Sequence, residues 1–298
     1  MDTSRTLLFL FNPFAGKGRA KARLWGIIET LSKSGYLITA YPTSGKEDAV
    51  RVMKQMGGQF DRVVCCGGDG TLNETIRGML QGGFDVPVGY IPAGSTNDYA
   101  SSLGLPRRIA EAAKLAAEGV PYRFDVGKFN ESYFVYVAAF GAFAEVSYST
   151  SQQAKNMLGH LAYLLAGLAR LPTLKSYHVR VEYDDTIIED EFILGMVTNS
   201  LSVGGFKGLC GKDVRLNDGL FEVLLIKRPR NIGGWRRLIG AVLRQDFQRG
   251  NLYSFSASSL RFSSEQALSW TLDGEYGGTV TTAEIANRQK AIQIIVNE

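Results

Sequence analysis

Histidine is almost missing from this chain. His160 and His178 are the only two among 298 residues, which leaves little room for imidazole bases or His-based metal sites. Cysteine is scarce as well. Cys65, Cys66 and Cys210 cannot form a disulfide framework, and no zinc-type spacing occurs, so a reducing cytosol fits. A membrane-spanning run is lacking: the longest apolar stretch, residues 157–171, contains His160 and stops before Pro172. It falls short of the roughly 20 residues needed to cross a bilayer. Residues 7–11 are apolar but run straight into Asn12-Pro13, too short for the core of a signal peptide. Excess charge of one sign is absent too. Subtracting 29 Asp+Glu from 33 Lys+Arg leaves +4, too weak to argue for nucleic acid, and no such partner is expected. A soluble or peripheral cytoplasmic protein is expected.

Glycine is plentiful, with 34 residues, and 45% hydrophobic content supplies one large core or two ordinary ones. The most informative glycines lie in Val63-Val64-Cys65-Cys66-Gly67-Gly68-Asp69-Gly70-Thr71-Leu72-Asn73-Glu74. A β-branched strand ends on glycines and a helix opens at once. Glycines let backbone approach a ligand, and the helix start presents unpaired N–H groups, which suits phosphate. Asp69 is wrong for that job alone, since a carboxylate about 4 Å from a phosphate charge is repelled by roughly 4 kcal/mol at an effective dielectric near 20. A cation between them, most simply Mg²⁺, resolves the conflict. The stretch is neither a Walker A loop nor a dinucleotide fingerprint, and taken alone it also reads as a plain turn.

Strand and helix patterns alternate over the first 120 residues. Strands are expected at 6–11, 36–41, 62–66 and 86–91. Helices are expected around Leu24, Ile27, Ile28 and Leu31, around Ala49, Val52, Met53 and Met56, from Leu72 to Leu80, and over 109–118. Ser44-x-x-Glu47 reads as a capping box for the second helix. From about Tyr122 strands dominate: 133–140, 177–183, 187–198, 220–227, 260–262, 269–272 and 291–296, with Asp184-Asp185 and Asp273-Gly274 as hairpin turns. Helical signal persists at 152–171 and 235–244. The fold class expected is an α/β N-terminal domain with a parallel sheet, residues 1–124, then an antiparallel β-sandwich-like domain with helical insertions, residues 125–298. The last strands are expected to pack back on the first domain, and the active site to lie in the interdomain cleft.

Three loops follow carboxyl ends of the parallel strands: Asn12-Pro13-Phe14-Ala15-Gly16-Lys17-Gly18, residues 67–73, and Pro92-Ala93-Gly94-Ser95-Thr96-Asn97-Asp98. Each carries glycine with a hydroxyl, amide or cation. Together with Asn217-Asp218-Gly219-Leu220 and Asp273-Gly274-Glu275, they make the chain resemble the diacylglycerol kinase catalytic-domain family, specifically its small bacterial lipid kinases. The resemblance runs over nearly the whole chain. It implies ATP- and Mg²⁺-dependent phosphorylation of a lipid hydroxyl, most simply that of diacylglycerol. It further implies that Asn12, Pro13, Phe14, Ala15, Gly16, Thr43, Gly68, Asp69, Gly70, Thr71, Leu72, Asn73, Glu74 and Thr96 contact ATP. Asp69 would reach the catalytic Mg²⁺. A structural Mg²⁺ would be held by the Asp218 side chain and main-chain oxygens around Arg215 and Leu220. Glu275 would accept the proton of the attacking hydroxyl, with Asp273 as its neighbour. Ser95 departs from the family pattern, which leaves open whether Ser95 or Thr96 touches the nucleotide. Similar proteins form homodimers, a further expectation.

Two other readings remain: an NAD-kinase-like phosphotransferase, on the strength of Gly-Gly-Asp-Gly-Thr, and a nucleotide-binding regulator without turnover. Blind, the Asp218 and Asp273 motifs are hairpin or pre-strand turns. A lipid kinase must also meet a membrane. Trp235, Leu238, Ile239, Val242 and Leu243 form one helical face amid Lys227, Arg228, Arg230, Arg236, Arg237, Arg244 and Arg249. That face suits either a transient stay on an anionic membrane surface, at the inner leaflet, or a core-facing helix with a basic solvent side.

Overall fold

The structure is a computed structural model that describes residues 5–95, 97–141, 175–200, 202–203, 206–207, 214–244 and 252–297. It divides into two compact units, Met1–Val126 with Arg288–Glu298, and Gly127–Asn287.

In the first unit, strands β1 (Arg5–Phe11), β2 (Tyr36–Pro42), β3 (Arg62–Gly67) and β4 (Val88–Pro92) pair in parallel in the order β2-β1-β3-β4. The end of the chain's last strand adds beside β4, with Ile294 opposite Val88, again parallel. The middle strands are near-continuous apolar runs because both faces are covered; Leu7, Leu8, Phe9 and Leu10, then Val63, Val64, Cys65 and Cys66, are all buried. The helices are α1 (Arg19–Ala22), α2 (Leu24–Lys33), α3 (Asp48–Met56), α4 (Asp69–Gly82), α5 (Asp98–Ser102) and α6 (Ile109–Glu118). Ile27 and Leu31 bury one face of α2, and Ala112, Ala113, Ala116 and Ala117 one face of α6. The small face of α6 approaches the sheet closely. A Cβ on Gly89 would come within 2.6 Å of Ala116.

The expected capping box does not form. Glu47 is the residue before α3 but adopts φ 66° and makes no side-chain cap. Instead the Asp48 carboxylate accepts the Ser44 N–H and hydroxyl, both at 2.8 Å. A carboxylate in the first turn outcompetes the hydroxyl as acceptor, since charged acceptors make stronger hydrogen bonds. Bonding from the Ser44 amide, with Arg51 adding its charge, holds Asp48 down at about 2.

The second unit is antiparallel. Its strands are β5 (Val120–Phe129, which starts in the first unit), β6 (Ser132–Phe134), β7 (Val137–Gly141), β8 (Tyr177–Tyr183) and β9 (Thr186–Thr198). There follow β10 (Ser202–Val203), β11 (Phe206–Lys207), β12 (Phe221–Lys227), helix α7 (Ile232–Arg244), β13 (Leu252–Ala257), β14 (Ser259–Leu272) and β15 (Glu275–Val296). The order is β13-β12-β9-β7-β14-β15, and β8 also joins β9 to β14. The core centres on Trp270, with the rings of Phe140, Phe129 and Phe262 at 4.9, 5.1 and 5.2 Å. The two strands expected at 260–262 and 269–272 are one strand with a register shift between Ser263 and Leu268. The strand expected at 133–140 is broken at Val135-Tyr136, for a reason given below. On α7, Leu238 and Ala241 are buried and Trp235 half-buried. Arg236 and Arg237 are exposed. The side chains of Ile239, Val242 and Leu243 lie outside those described, as do the helix expected at 152–171 and Cys210.

Candidate active site

The first unit brings four loops to the carboxyl edge of its sheet. In the first, Asn12 Oδ1 accepts the Phe14 N–H at 2.9 Å, and the Asn12 amide is pinned to Cys66 O at 2.9 Å. This side-chain turn, with Gly16 at φ 55° and Gly18 at φ 82°, folds the segment tightly. Ala15 is buried and Phe14 exposed. Thr43 follows β2 and donates its N–H to Phe11 O at 2.9 Å, which ties the second loop to the first.

The third and fourth loops are locked together by glycines. A Cβ on Gly94 would fall 2.6 Å from Gly68 Cα, and one on Gly67 would fall 2.4 Å from Thr71 Oγ1. Ala93 and Gly94 donate to Gly67 O at 2.7 and 3.1 Å. Asn97, at φ 55°, closes the fourth loop by accepting the Gly94 N–H and donating to Gly94 O, both at 3.0 Å. Gly68 precedes α4 in extended conformation, and Gly70 has open space around the position of a Cβ. The start of α4 thus offers N–H groups beside an uncrowded glycine, the geometry that admits a phosphate.

Asp69 is the first residue of α4. Its carboxylate accepts the Asp98 N–H at 3.0 Å and the Tyr99 N–H at 3.4 Å, so it also caps α5. That second duty spans 29 residues and leaves no local signal. Thr71 and Leu72 are buried. Glu74 reaches sideways: its Oε1 accepts the Glu47 N–H at 3.0 Å, and Arg77 pairs with Glu47. Burial, reinforced by the nearby Glu47 charge, pushes the Glu74 carboxyl up. Asn73 is half-buried, and Thr96 lies outside the described residues.

In the second unit, Asp273-Gly274 forms a two-residue hairpin, φ 51° and 82°, between Leu272 and Glu275. Both residues have positive φ, as a type I′ turn requires. Asp273 is only 6% exposed. Its carboxylate accepts three backbone N–H groups, from Val135 at 2.7 Å and from Tyr136 and Val137 at 2.9 Å. Those donors are what interrupts the strand at 135–136. Tyr136 also donates its hydroxyl to Asp273 O at 3.2 Å. Asp273 is therefore a buried anchor that sets the hairpin, and Glu275, on the next strand, is exposed.

The Asp218 loop lies in the same unit. Asp218 Oδ1 accepts the Leu220 N–H at 3.0 Å, and Gly219 has φ 86°. Asn199 donates to Leu216 O at 3.4 Å and Asn287 to Leu220 O at 3.3 Å, clamping both ends. Arg215 and Asp218 are exposed. Glu222 is buried two residues beyond Leu220, and its Oε2 has no hydrogen-bond partner among the described residues. Burial, with the Asp218 charge adding, pushes its carboxyl up to about 7. Among the described residues no three His, Cys, Asp or Glu side chains cluster as a ready metal cage. The loop's donors are oxygen atoms. That set fits a hard cation such as Mg²⁺, which is commonly held by one or two carboxylates with water and main-chain oxygen.

A family model described as the diacylglycerol kinase catalytic domain matches residues 6–129. One described as the YegS C-terminal NAD kinase beta sandwich-like domain matches residues 136–296. The diacylglycerol kinase of Bacillus subtilis (strain 168) is 33% identical over 290 residues, covering 96% of this chain and 95% of that protein. That of Staphylococcus carnosus (strain TM300) is 31% identical over 287 residues, covering 96% and 93%. A solved structure from Bacillus anthracis strain Sterne, provisionally assigned as a diacylglycerol kinase, superposes with a TM-score of 0.83 at 27% identity. It covers 100% of this chain and 97% of that one.

Proposed function

This chain belongs to the diacylglycerol kinase family and is a lipid kinase, and from that premise we propose that it uses Mg²⁺ and ATP to phosphorylate the free hydroxyl of diacylglycerol, giving phosphatidic acid. The observation that carries the reading is the pair of glycine loops pinned edge to edge around Asp69 at the start of α4. Phosphoryl transfer asks a protein mainly for positioning and charge neutralisation; the loop backbone supports the first, and a metal at Asp69 would supply the second.

In the first unit, residues 12–16 and 68–74, with Thr43 and either Ser95 or Thr96, would hold the nucleotide, and Asp69 would hold its metal. In the second unit, Glu275 takes the proton of the lipid hydroxyl. The hydroxyl oxygen bonds to the γ-phosphorus as the bond to the β,γ-bridging oxygen breaks, and ADP departs with that oxygen. Asp273 positions Glu275 through the hairpin. When bound, Mg²⁺ offsets negative charge on the phosphates; the Asp218 carboxylate and the main-chain oxygens of Arg215 and Leu220 would hold a second, structural ion.

Because its substrate is a lipid, the enzyme works at a membrane surface, on this reading the inner one. A transfer assay with labelled ATP, offering diacylglycerol, monoacylglycerol, a sphingoid base, phosphatidylglycerol and NAD in turn, tests the reading. Label in phosphatidic acid, lost in Asp69→Asn and Glu275→Gln, is the expected result. Full turnover in both variants, or label in NAD alone, refutes it.

A further inference from the structure

One carboxyl group of the second unit is held where the protein around it offers no donor. Glu222 is 9% exposed, and its Oε2 is buried with no hydrogen-bond partner among the described residues. No Lys or Arg among those residues pairs with it, and the charge that acts on it is that of Asp218, of the same sign. A buried polar atom left without a partner costs about 1–3 kcal/mol. A proton on that oxygen does not remove the deficit, since it exchanges a bare acceptor for a bare donor.

The strand dictates where this side chain goes. Phe221, Val223 and Leu225 of β12 belong to the core around Trp270, so alternation turns Glu222 to the opposite face. It stands two residues past Leu220, where the Asp218 loop ends. A second oxygen at that end is in the same condition. Asn287 donates its amide to Leu220 O at 3.3 Å, and its own Oδ1 is buried without a partner among the described residues. Two carboxyl groups within each other's field, with oxygen acceptors that nothing nearby satisfies, are the donor set of a hard divalent cation.

Glu222 also stands in a row that crosses four strands. It pairs with Thr198 on β9, Thr198 pairs with Val137 on β7, and Val137 O accepts the Asp273 N–H at 2.8 Å. At about 4.8 Å per step, the backbones of Glu222 and the Asp273 hairpin are roughly 14 Å apart. Glu222 thus belongs to the cation loop and not to the reacting hydroxyl.

We infer that Glu222 supplies the second carboxylate oxygen of a divalent-cation site at the Asp218 loop, with Asn287 Oδ1 accepting a hydrogen bond from the ion's water. The assignment deepens the proposed reading of that loop and rests on it.

Mn²⁺ titrated into the full-length protein, followed by electron paramagnetic resonance with Mg²⁺ as competitor, tests the assignment. Nucleotide is left out, so that the Asp69 loop has no phosphate with which to share a metal. A bound ion is expected in the wild type and not in Asp218→Asn. Glu222→Gln should weaken it by at least about tenfold, because losing even an outer-shell partner costs about 10–100-fold. Melting gives a readout independent of turnover. Without cation, Glu222→Gln should melt no lower than the wild type, since the amide removes a like charge beside Asp218. With millimolar Mg²⁺ the wild type should rise and the variant should not. Should the variant fail to fold, wild-type crystals soaked in Mn²⁺ decide the matter. Their anomalous peak should lie within coordination distance of the Asp218 carboxylate and of Glu222 Oε2. A peak on Asp218 that leaves Glu222 out overturns the assignment, as does equal Mn²⁺ affinity in the wild type and Glu222→Gln. A Glu222-dependent ion in a protein that phosphorylates no lipid would sink the kinase reading and leave the ligand standing. Phosphorylation of diacylglycerol with Mn²⁺ affinity indifferent to Glu222 would do the reverse.

Discussion

Asp273 offers the clearest separation between anchoring and chemistry. Its two carboxylate oxygens accept three buried N–H groups from a segment some 136 residues away. In Asp273→Asn, one oxygen remains to serve Tyr136 and Val137 without its charge, and an amide NH₂ confronts the Val135 N–H. Hydrogen bonds to charged groups contribute about 1.5–3 kcal/mol, and an orphaned buried donor costs about 1–3 kcal/mol. A loss of about 2–3 kcal/mol is expected for Asn, which tolerates the positive φ as well as Asp does. Asp273→Ala removes every acceptor and adds backbone strain, so about 4 kcal/mol is expected. Urea unfolding followed by the buried Trp270, with Trp25 and Trp235 replaced by Phe, reads this directly. Glu275→Gln is the contrast, since an exposed substitution should stay within about 0.5 kcal/mol while turnover falls. An unchanged urea midpoint in Asp273→Asn together with collapsed turnover would refute the anchor and put Asp273 at the reaction itself.

Other outcomes follow from the same geometry. Gly70→Ala meets no neighbouring atom, so stability should hold or rise by up to about 1 kcal/mol while the KM for ATP climbs, because the added methyl occupies the phosphate approach. Gly94→Ala forces backbone against Gly68 and should lower both melting temperature and ATP affinity. Asp48 is held down at about 2 in the folded chain, below its ordinary 3.8; its contribution is complete above pH 3.8 and fades as pH falls through 2. Asp48→Asn should therefore flatten the acid limb of a stability-versus-pH curve between those values. Burial pushes the Cys65 and Cys66 thiols up to about 12, so a thiol reagent at neutral pH should titrate at most one cysteine before the protein is denatured.

The sequence by itself determined the alternating elements of the first unit, the hairpins at Asp184-Asp185 and Asp273-Gly274, and the glycine-rich loops. Their signals are local. Apolar periodicity, β-branched runs and turn residues act within a few positions of where they occur. Even there, Ser44 and Glu47 misled, because the stronger acceptor Asp48 stood one residue further on. Only tertiary structure decided what the acidic residues do. Asp69 caps a helix 29 residues downstream, Asp273 breaks a strand 136 residues upstream, and Glu74 holds the loop before α3. The same is true of surfaces. Nothing in the periodicity of α7 distinguishes a face packed on the protein from one laid on a membrane, and nothing in the sequence around Trp25 says that its ring is bare. Hydrogen-bond partners and solvent exposure depend on which distant segments arrive alongside, and chain order does not record that.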